Sequence, residues 1–390
     1  MRRILFMHQA STVGGGSYCL LNIVKALDKT LWEPIVALQS HGPLEDEFKK
    51  LDVKVVIFPQ MANIPYNHPL TPRNLLIYWR VLRSEKNCLE LLQRELIDVL
   101  YLNNMMLAPY LRAAKKAGCK TVMHVREHWP LDEHQKQLEW IRKIVYENCD
   151  KLIAINQYSA SIFPKIDSTI VYDWIDMSNR YKPMPMNEIF GEDVNGKKVL
   201  LYTGGFLRIK GTDYVVNAFK ENVKGDDYKL LILGTDMNRP LVGTRHRIKS
   251  LLSHFGYRYY EQEMRNLVKT DSRIYCIPGV YELKHLVEQS YCFVSYFRMP
   301  HANLAMAENI ILGNPCIAAD SEEAREYTDN GKYAMLVKAN DPDLFAQKLC
   351  VFLAENDQWR LAAQSGSEAV SKKFDKEINI KVLNDALRGL

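Results

Sequence analysis

Three stretches of this sequence hold residue types suited to an anionic, hydroxyl-bearing ligand. The first is Ser11-Thr12-Val13-Gly14-Gly15-Gly16-Ser17, which follows a short apolar run and opens a helical pattern. Glycines let the backbone approach a ligand closely, and a helix start offers unpaired N–H groups with partial positive charge, so a phosphate suits this turn. The run has neither the Gly-x-Gly-x-x-Gly register nor a Walker lysine and specifies no particular nucleotide; a plain packing turn is the other reading. The second stretch is Tyr202-Thr203-Gly204-Gly205-Phe206-Leu207-Arg208-Ile209-Lys210-Gly211. Two cations beside two glycines match the paired charges of a diphosphate, where a bland loop would only solvate them. The third is the segment from Asn303 through Leu312, with Gly313 and Pro315 beyond. Asn303 suits a helix N-cap and Gly313 a helix stop. Glu308 falls one turn in, near an otherwise apolar face, where a carboxylate is costly unless paired. It has the acceptors for a ribose diol; an exposed helix glutamate is the alternative.

These loops need elements to hold them. Short runs rich in β-branched residues recur at 4–8, 34–38, 53–58, 99–102, 121–125, 152–155 and 169–172, separated by segments such as 17–27 and 75–95 with apolar residues at three- and four-residue spacing. Such alternation predicts βαβ units and parallel sheets covered on both faces. The stretch 177–198, with Pro183, Pro185, Gly191 and Gly196, reads as a linker. The rhythm restarts at 199–202, 229–233, 273–276, 292–296, 316–318 and 335–337. The expected architecture is α/β: two doubly wound, Rossmann-like domains facing across a cleft, with ligands at the carboxyl ends of the strands. The expected divisions are 1–176, a linker at 177–198, 199–370, and a final helix at 371–390 packing back on the first domain.

Length and composition agree. The chain has 390 residues, 47% hydrophobic and 25% charged, which excludes wholesale disorder and suits two domains. The net charge of +5 is too small and dispersed to point to nucleic acid. Eight scattered cysteines show no zinc or thiol-redox spacing, so a reduced compartment is expected. No apolar stretch reaches the roughly 20 residues of a membrane span. The expectation is a cytoplasmic protein, at most peripheral at the inner face of a membrane.

Taken together, the turn at 14–17, the Gly204-Gly205-x-x-Arg208-x-Lys210-Gly211 loop and the Ala307-Glu308-(four residues)-Gly313-Asn314-Pro315 helix resemble, in this order, family four retaining glycosyltransferases of the B fold. Val171-Tyr172-Asp173-Trp174-Ile175-Asp176 is similar to that family's Asn-Gly-(hydrophobic)-Asp turn, with Asp173 and Trp174 in place of Asn-Gly. The resemblance implies that Glu308 holds the donor ribose and that Arg208 and Lys210 grip the diphosphate and stabilise the leaving group. It implies that Gly15 and Gly16 lie beside the donor phosphate and the acceptor, that Gly205 lies at the donor, and that the N–H groups of Asn303, Leu304 and Ala305 contact the sugar. The first glutamate of the family's Glu-(seven residues)-Glu motif falls at Pro300, with His301 the available substitute. Met123-His124-Val125-Arg126-Glu127-His128 ends the fifth strand, where the family often places a donor-contacting histidine; His124 takes that role, or Arg126 its position, unless the histidine is simply hydrogen-bonded structure.

The expected function is a hexosyltransferase-like enzyme that moves a sugar from a nucleotide-sugar to a hydroxyl of a glycan or lipid-linked glycan. Front-face transfer is expected to retain the anomeric configuration. No metal and no cofactor are expected, and no carboxylate pair at a defined spacing supports double displacement. The alternatives are a non-catalytic nucleotide-sugar-binding subunit and a B-fold epimerase; the latter calls for an acid–base cluster the sequence lacks. Two segments remain. The basic, aromatic run from Arg73 to Arg83 reads as a core-packing helix with snorkelling arginines or as contact with an anionic membrane, and 237–260 reads as an insertion without an assigned role.

Overall fold

The computed structural model describes residues 1–12, 14–66, 72–131, 133–176, 184–241, 259–280, 282–300 and 302–390. Most of the expected insertion at 237–260 lies outside the described residues. The chain divides into two compact units, one of residues 1–174 with 376–390 and one of 175–375.

The first unit is built on seven parallel strands: β1 (Arg2–His8), β2 (Trp32–Leu38), β3 (Lys54–Ile57), β4 (Val99–Leu102), β5 (Lys120–Val125), β6 (Lys151–Ala154) and β7 (Ser168–Ile170). Their spatial order is β3-β2-β1-β4-β5-β6-β7. The order reverses beside β1, so the carboxyl ends of β1 and β4 flank the natural ligand crevice of such a sheet. Alternate residues feed two cores. Leu5, Met7, Leu100, Leu102 and Met123 face one layer of helices, while Ile4, Phe6, Val99, Tyr101 and Val122 face the other.

The second unit repeats the plan with β8 (Lys198–Tyr202), β9 (Tyr228–Leu233), β10 (Ile274–Ile277), β11 (Cys292–Ser295), β12 (Cys316–Ala319) and β13 (Met335–Val337), in the order β10-β9-β8-β11-β12-β13, all parallel. All eight cysteines are free thiols.

Two boundaries differ from the sequence reading. Of the expected linker, the described residues 184–198 hold the Met186–Phe190 helix, closed by Gly191 at φ +65°, and the first residue of β8, and they belong to the second unit. The chain end is two helices, Asn356–Lys373 and Lys376–Arg388, with the division at 375/376. Phe374 is buried at the C-cap of the earlier helix, and the later helix begins at Lys376. The Lys376–Arg388 helix puts Leu383 and Leu387 into the core of Ile4 and Phe6. Asn379 also accepts the N–H of Tyr172 (2.9 Å).

That seating makes Leu383, fully buried, a test of the unit's composition. Leu383→Ala should cost the first unit about 2–5 kcal/mol in urea unfolding, whereas a loss under about 1 kcal/mol would mean that the terminal helix is no part of its core.

Candidate functional site

At the carboxyl edge of the first sheet, β1 ends at His8 and the glycine turn leads into the Gly15–Ala26 helix. That helix starts at Gly14 without a side-chain cap, leaving its first N–H groups to solvent or a ligand. Among the described residues a Cβ on Gly14, Gly15 or Gly16 would meet nothing within 4 Å, so packing against them does not require glycine there. A hydrogen-bond chain fixes the turn from below. Ser17 Oγ donates to the Thr12 carbonyl (2.8 Å) and so receives His8 Nε2–H (3.0 Å), while Asn103 Nδ2 donates to His8 Nδ1 (3.1 Å). These bonds assign the proton to Nε2 of a neutral imidazole. Burial, with the charge of Arg126 adding to it, lowers that pKa to about 4. Asn103 and Asn104 follow β4 directly, and the side-chain oxygen of each is buried with no partner among the described residues.

His124 and Arg126 stand at the end of β5, where the sequence reading has them. Strand alternation turns His124 into the core with Tyr101, whose hydroxyl lies 2.7 Å from its Nδ1, and the ring is fully buried. Burial, with Arg126 second, holds its pKa well below the usual histidine range. Arg126 is ion-paired with Asp173, and Cys19 packs beside that pair. The Asp173 that replaces the family's asparagine thus serves as a counter-ion.

In the second unit the loop after β8 is shaped by backbone fit. Gly205 sits at φ +53° with the Gly234 carbonyl 2.7 Å from where a Cβ would be, and Gly211 at φ +67° with the Tyr296 carbonyl at 2.1 Å. Neither position has room for a side chain. Between them, the Arg208–Lys210 turn is anchored by Tyr202 Oη, which donates to the Lys210 carbonyl (2.9 Å). The Ile209 carbonyl accepts the N–H groups of Arg298 (3.0 Å) and Met299 (3.3 Å), which tie the loop after β11 to the same turn. Arg208 is exposed. Lys210 is half-buried with Nζ 4.1 Å from the centroid of the Phe297 ring, and no carboxylate pairs with it among the described residues. Burial lowers its pKa to about 8.

The Leu304–Ile311 helix begins nearby in sequence. Asn303 caps it through Oδ1, which accepts the Met306 N–H (3.3 Å), and its Nδ2 donates to Ser295 Oγ (3.0 Å) at the end of β11. The N–H groups of Leu304 and Ala305 are among those a helix start leaves open. Gly313 at φ +71° ends the helix as expected. Glu308 is half-buried, and burial, with the charge of Glu282 adding to it, raises its carboxyl pKa to about 8. Among the described residues no three His, Cys, Asp or Glu side chains gather as a metal site would need.

Two family models divide most of the chain: Glycosyl transferase 4-like domain matches residues 14–165, and Glycosyl transferases group 1 matches residues 197–355. The chain belongs to the group 1 glycosyltransferases. Among solved structures it is similar to Anabaena Alr3699/HepE in complex with UDP and glucose, at 17% identity over 100% of each chain and a TM-score of 0.75. A glycosyltransferase from Rickettsia africae aligns over 100% of this chain and 99% of its own, at 17% identity and a TM-score of 0.68. Sucrose-phosphate synthase from Thermosynechococcus elongatus aligns over the same shares, at 14% identity and a TM-score of 0.70. These likenesses establish the two-domain Rossmann-like B fold. No curated protein matches in sequence.

In this glycosyltransferase Pro300 stands where the motif's first glutamate would be, and His301 lies outside the described residues. The sequence reading passed over two groups. Arg298 pairs with Asp213 and stacks on Tyr214, 3.6 Å from the ring centroid; partners some 85 positions away leave no local signal. Glu127 follows β5 and accepts the N–H groups of Met105 (3.2 Å) and Arg126 (3.1 Å) through Oε2. Its one clue was its place in an ionisable run at a strand end. Burial raises its pKa to about 7 against those opposing bonds.

A carboxyl whose pKa is raised on folding is destabilising once ionised, so this contribution to stability falls as pH rises from about 4.5 through about 7. Glu127→Gln keeps the acceptor and cannot ionise. The variant should therefore gain on the wild type between pH 5 and pH 8, by on the order of 1–3 kcal/mol in thermal or chemical unfolding. Parallel pH curves would contradict the placement of this carboxyl.

Proposed function

We propose that this glycosyltransferase moves a sugar from a nucleotide-sugar to a hydroxyl of a glycan or lipid-linked glycan, with retention and without a metal. The observation that carries this reading is Lys210, a half-buried cation with no carboxylate partner among the described residues, next to exposed Arg208 at the carboxyl edge of the second sheet. A diphosphate supplies the missing negative charge. Cleavage of the sugar–phosphate bond leaves further charge on the departing nucleotide, where cations already in place count most. Glu308, ionised by the exchange of its proton for two ribose hydroxyl donors, holds the nucleoside. The open N–H groups of Leu304 and Ala305 serve the sugar, and Gly205 lets the loop backbone approach the phosphates. In the first unit the glycine turn with Gly15 and Gly16, backed by neutral His8 and Asn103, serves the acceptor side.

In the proposed step the acceptor oxygen bonds to the anomeric carbon on the face the nucleotide leaves. The acceptor proton passes to the departing phosphate, so no protein nucleophile is involved. HepE was solved with UDP-glucose, and a mutant of S. aureus TarM with Fondaparinux, α-GlcNAc-glycerol and UDP, which makes UDP-sugars the first donors to try.

The test is a binding and turnover panel of UDP-, GDP- and ADP-sugars. One base should raise the melting temperature selectively. Lys210→Ala and Glu308→Ala should each lose roughly 1.5–3 kcal/mol of donor binding or transition-state stabilisation, tenfold or more in Kd or kcat/KM, with turnover unaffected by chelator. Variants within about threefold of wild type would remove both assigned roles.

A further inference from the structure

The Pro72–Arg94 helix of the first unit has two very different faces. Val81, Cys88, Leu91 and Leu92 are buried in the core, Ser84 Oγ lies 2.6 Å from the Tyr110 hydroxyl, and Glu85 accepts Arg112 Nε (3.2 Å). These contacts fix the rotation of the helix. The opposite face leaves Leu75 55%, Leu76 65%, Trp79 56% and Leu82 46% exposed. At 100° per residue those four, with Arg83 and Lys86, fall within one broad stripe, and Arg80 borders it. Arg80, Arg83 and Lys86 are all exposed, and the Arg83 guanidinium lies 5.2 Å from the centroid of the Trp79 ring. The first acidic residue on this side is Glu90, beyond the apolar part. The core-packing reading of this segment holds for Ile77, Tyr78 and Val81, with Arg80 and Arg83 outside, but does not cover Leu75, Leu76, Trp79 and Leu82.

An apolar stripe that stands exposed among the described residues, contains tryptophan and carries cations within it and along one flank fits one partner in particular. A second copy docked by a two-fold axis would bring Arg80, Arg83 and Lys86 against their own kind. Anionic lipid offers phosphates to the cations and a boundary layer to the leucines and the indole. No helix among the described residues is long and apolar enough to cross a membrane, so the contact is a surface one.

We propose that this face of the Pro72–Arg94 helix lies against an anionic lipid surface, with Leu75, Leu76, Trp79 and Leu82 entering the headgroup boundary and Arg80, Arg83 and Lys86 meeting lipid phosphates. The inference stands apart from the donor reading, and the test scores the two separately.

The full chain is floated with vesicles of equal parts phosphatidylcholine and phosphatidylglycerol, and with phosphatidylcholine alone. The wild type should float with the anionic vesicles, less so at high salt, and stay down with the neutral ones. Leu76→Ser with Trp79→Ser, and Arg80→Glu with Arg83→Glu, should each lower partition by about tenfold or more. The substituted positions are all solvent-exposed away from the membrane, so folding should survive, checked by an unchanged melting temperature. Nucleotide-sugar turnover in solution should be unchanged in both variants. A wild type that does not float, or variants that float as well as it does, would overturn the proposal. A concentration-dependent dimer lost in the serine variant, without flotation, would assign the face to a second copy instead. Flotation by a protein with no turnover would count against the donor reading alone.

Discussion

Everything in the second unit's loop cluster turns on holding a cation without neutralising it. A half-buried ammonium with no counter-ion is unfavourable, and proteins usually pair such a group. Here Lys210 has only the face of Phe297 among the described residues, and burial has already drawn its pKa down to about 8. The loop that carries it leaves little freedom. Gly205 and Gly211 take left-handed conformations against carbonyls that exclude any side chain, Tyr202 holds the Lys210 carbonyl, and the backbone of residues 298–299 is tied to Ile209. Glu308 is strained in the opposite sense, since its carboxyl is held near neutrality by burial and by Glu282. In the proposed reading a nucleoside diphosphate relieves both conditions, its phosphates meeting the ammonium and its ribose hydroxyls the carboxyl.

The first unit solves a different problem with different groups. Among the described residues its carboxyl edge is lined by a neutral imidazole, two amides whose buried oxygens have no partner, and a glycine turn where an added Cβ meets nothing within 4 Å. Arg126, which follows β5, is ion-paired with Asp173. Such an edge matches uncharged hydroxyl groups better than phosphates. The two sheets share a plan, yet one edge is electrostatically expectant and the other is neutral and polar.

Much of this was legible in the chain. Parallel strands buried on both faces must be written as short apolar runs, so the strands of both units stood out. Asn303 and Gly313 marked their helix ends because capping chemistry is local. The Arg208–Lys210 loop could be read because its cations sit within six residues of its glycines. What escaped was set by tertiary partners. Whether His124 faced a ligand or Tyr101 depended on which side of β5 it occupied. Arg126 found Asp173 47 positions on, and Arg298 found Asp213 some 85 positions back. The amphipathic pattern of the Pro72–Arg94 helix was plain, but only the packing of Ser84 and Glu85 shows that Trp79 faces outward.

The central claim is that Lys210 is reserved for a second phosphate. Its most direct test compares UDP with UMP (or the equivalent pair for whichever base binds) by calorimetry on the wild type and on Lys210→Ala. The account predicts that the wild type favours the diphosphate by about tenfold or more and that the variant loses most of that preference while binding the monophosphate nearly as before. An equal loss for both nucleotides, or a preference that survives the substitution, would contradict it.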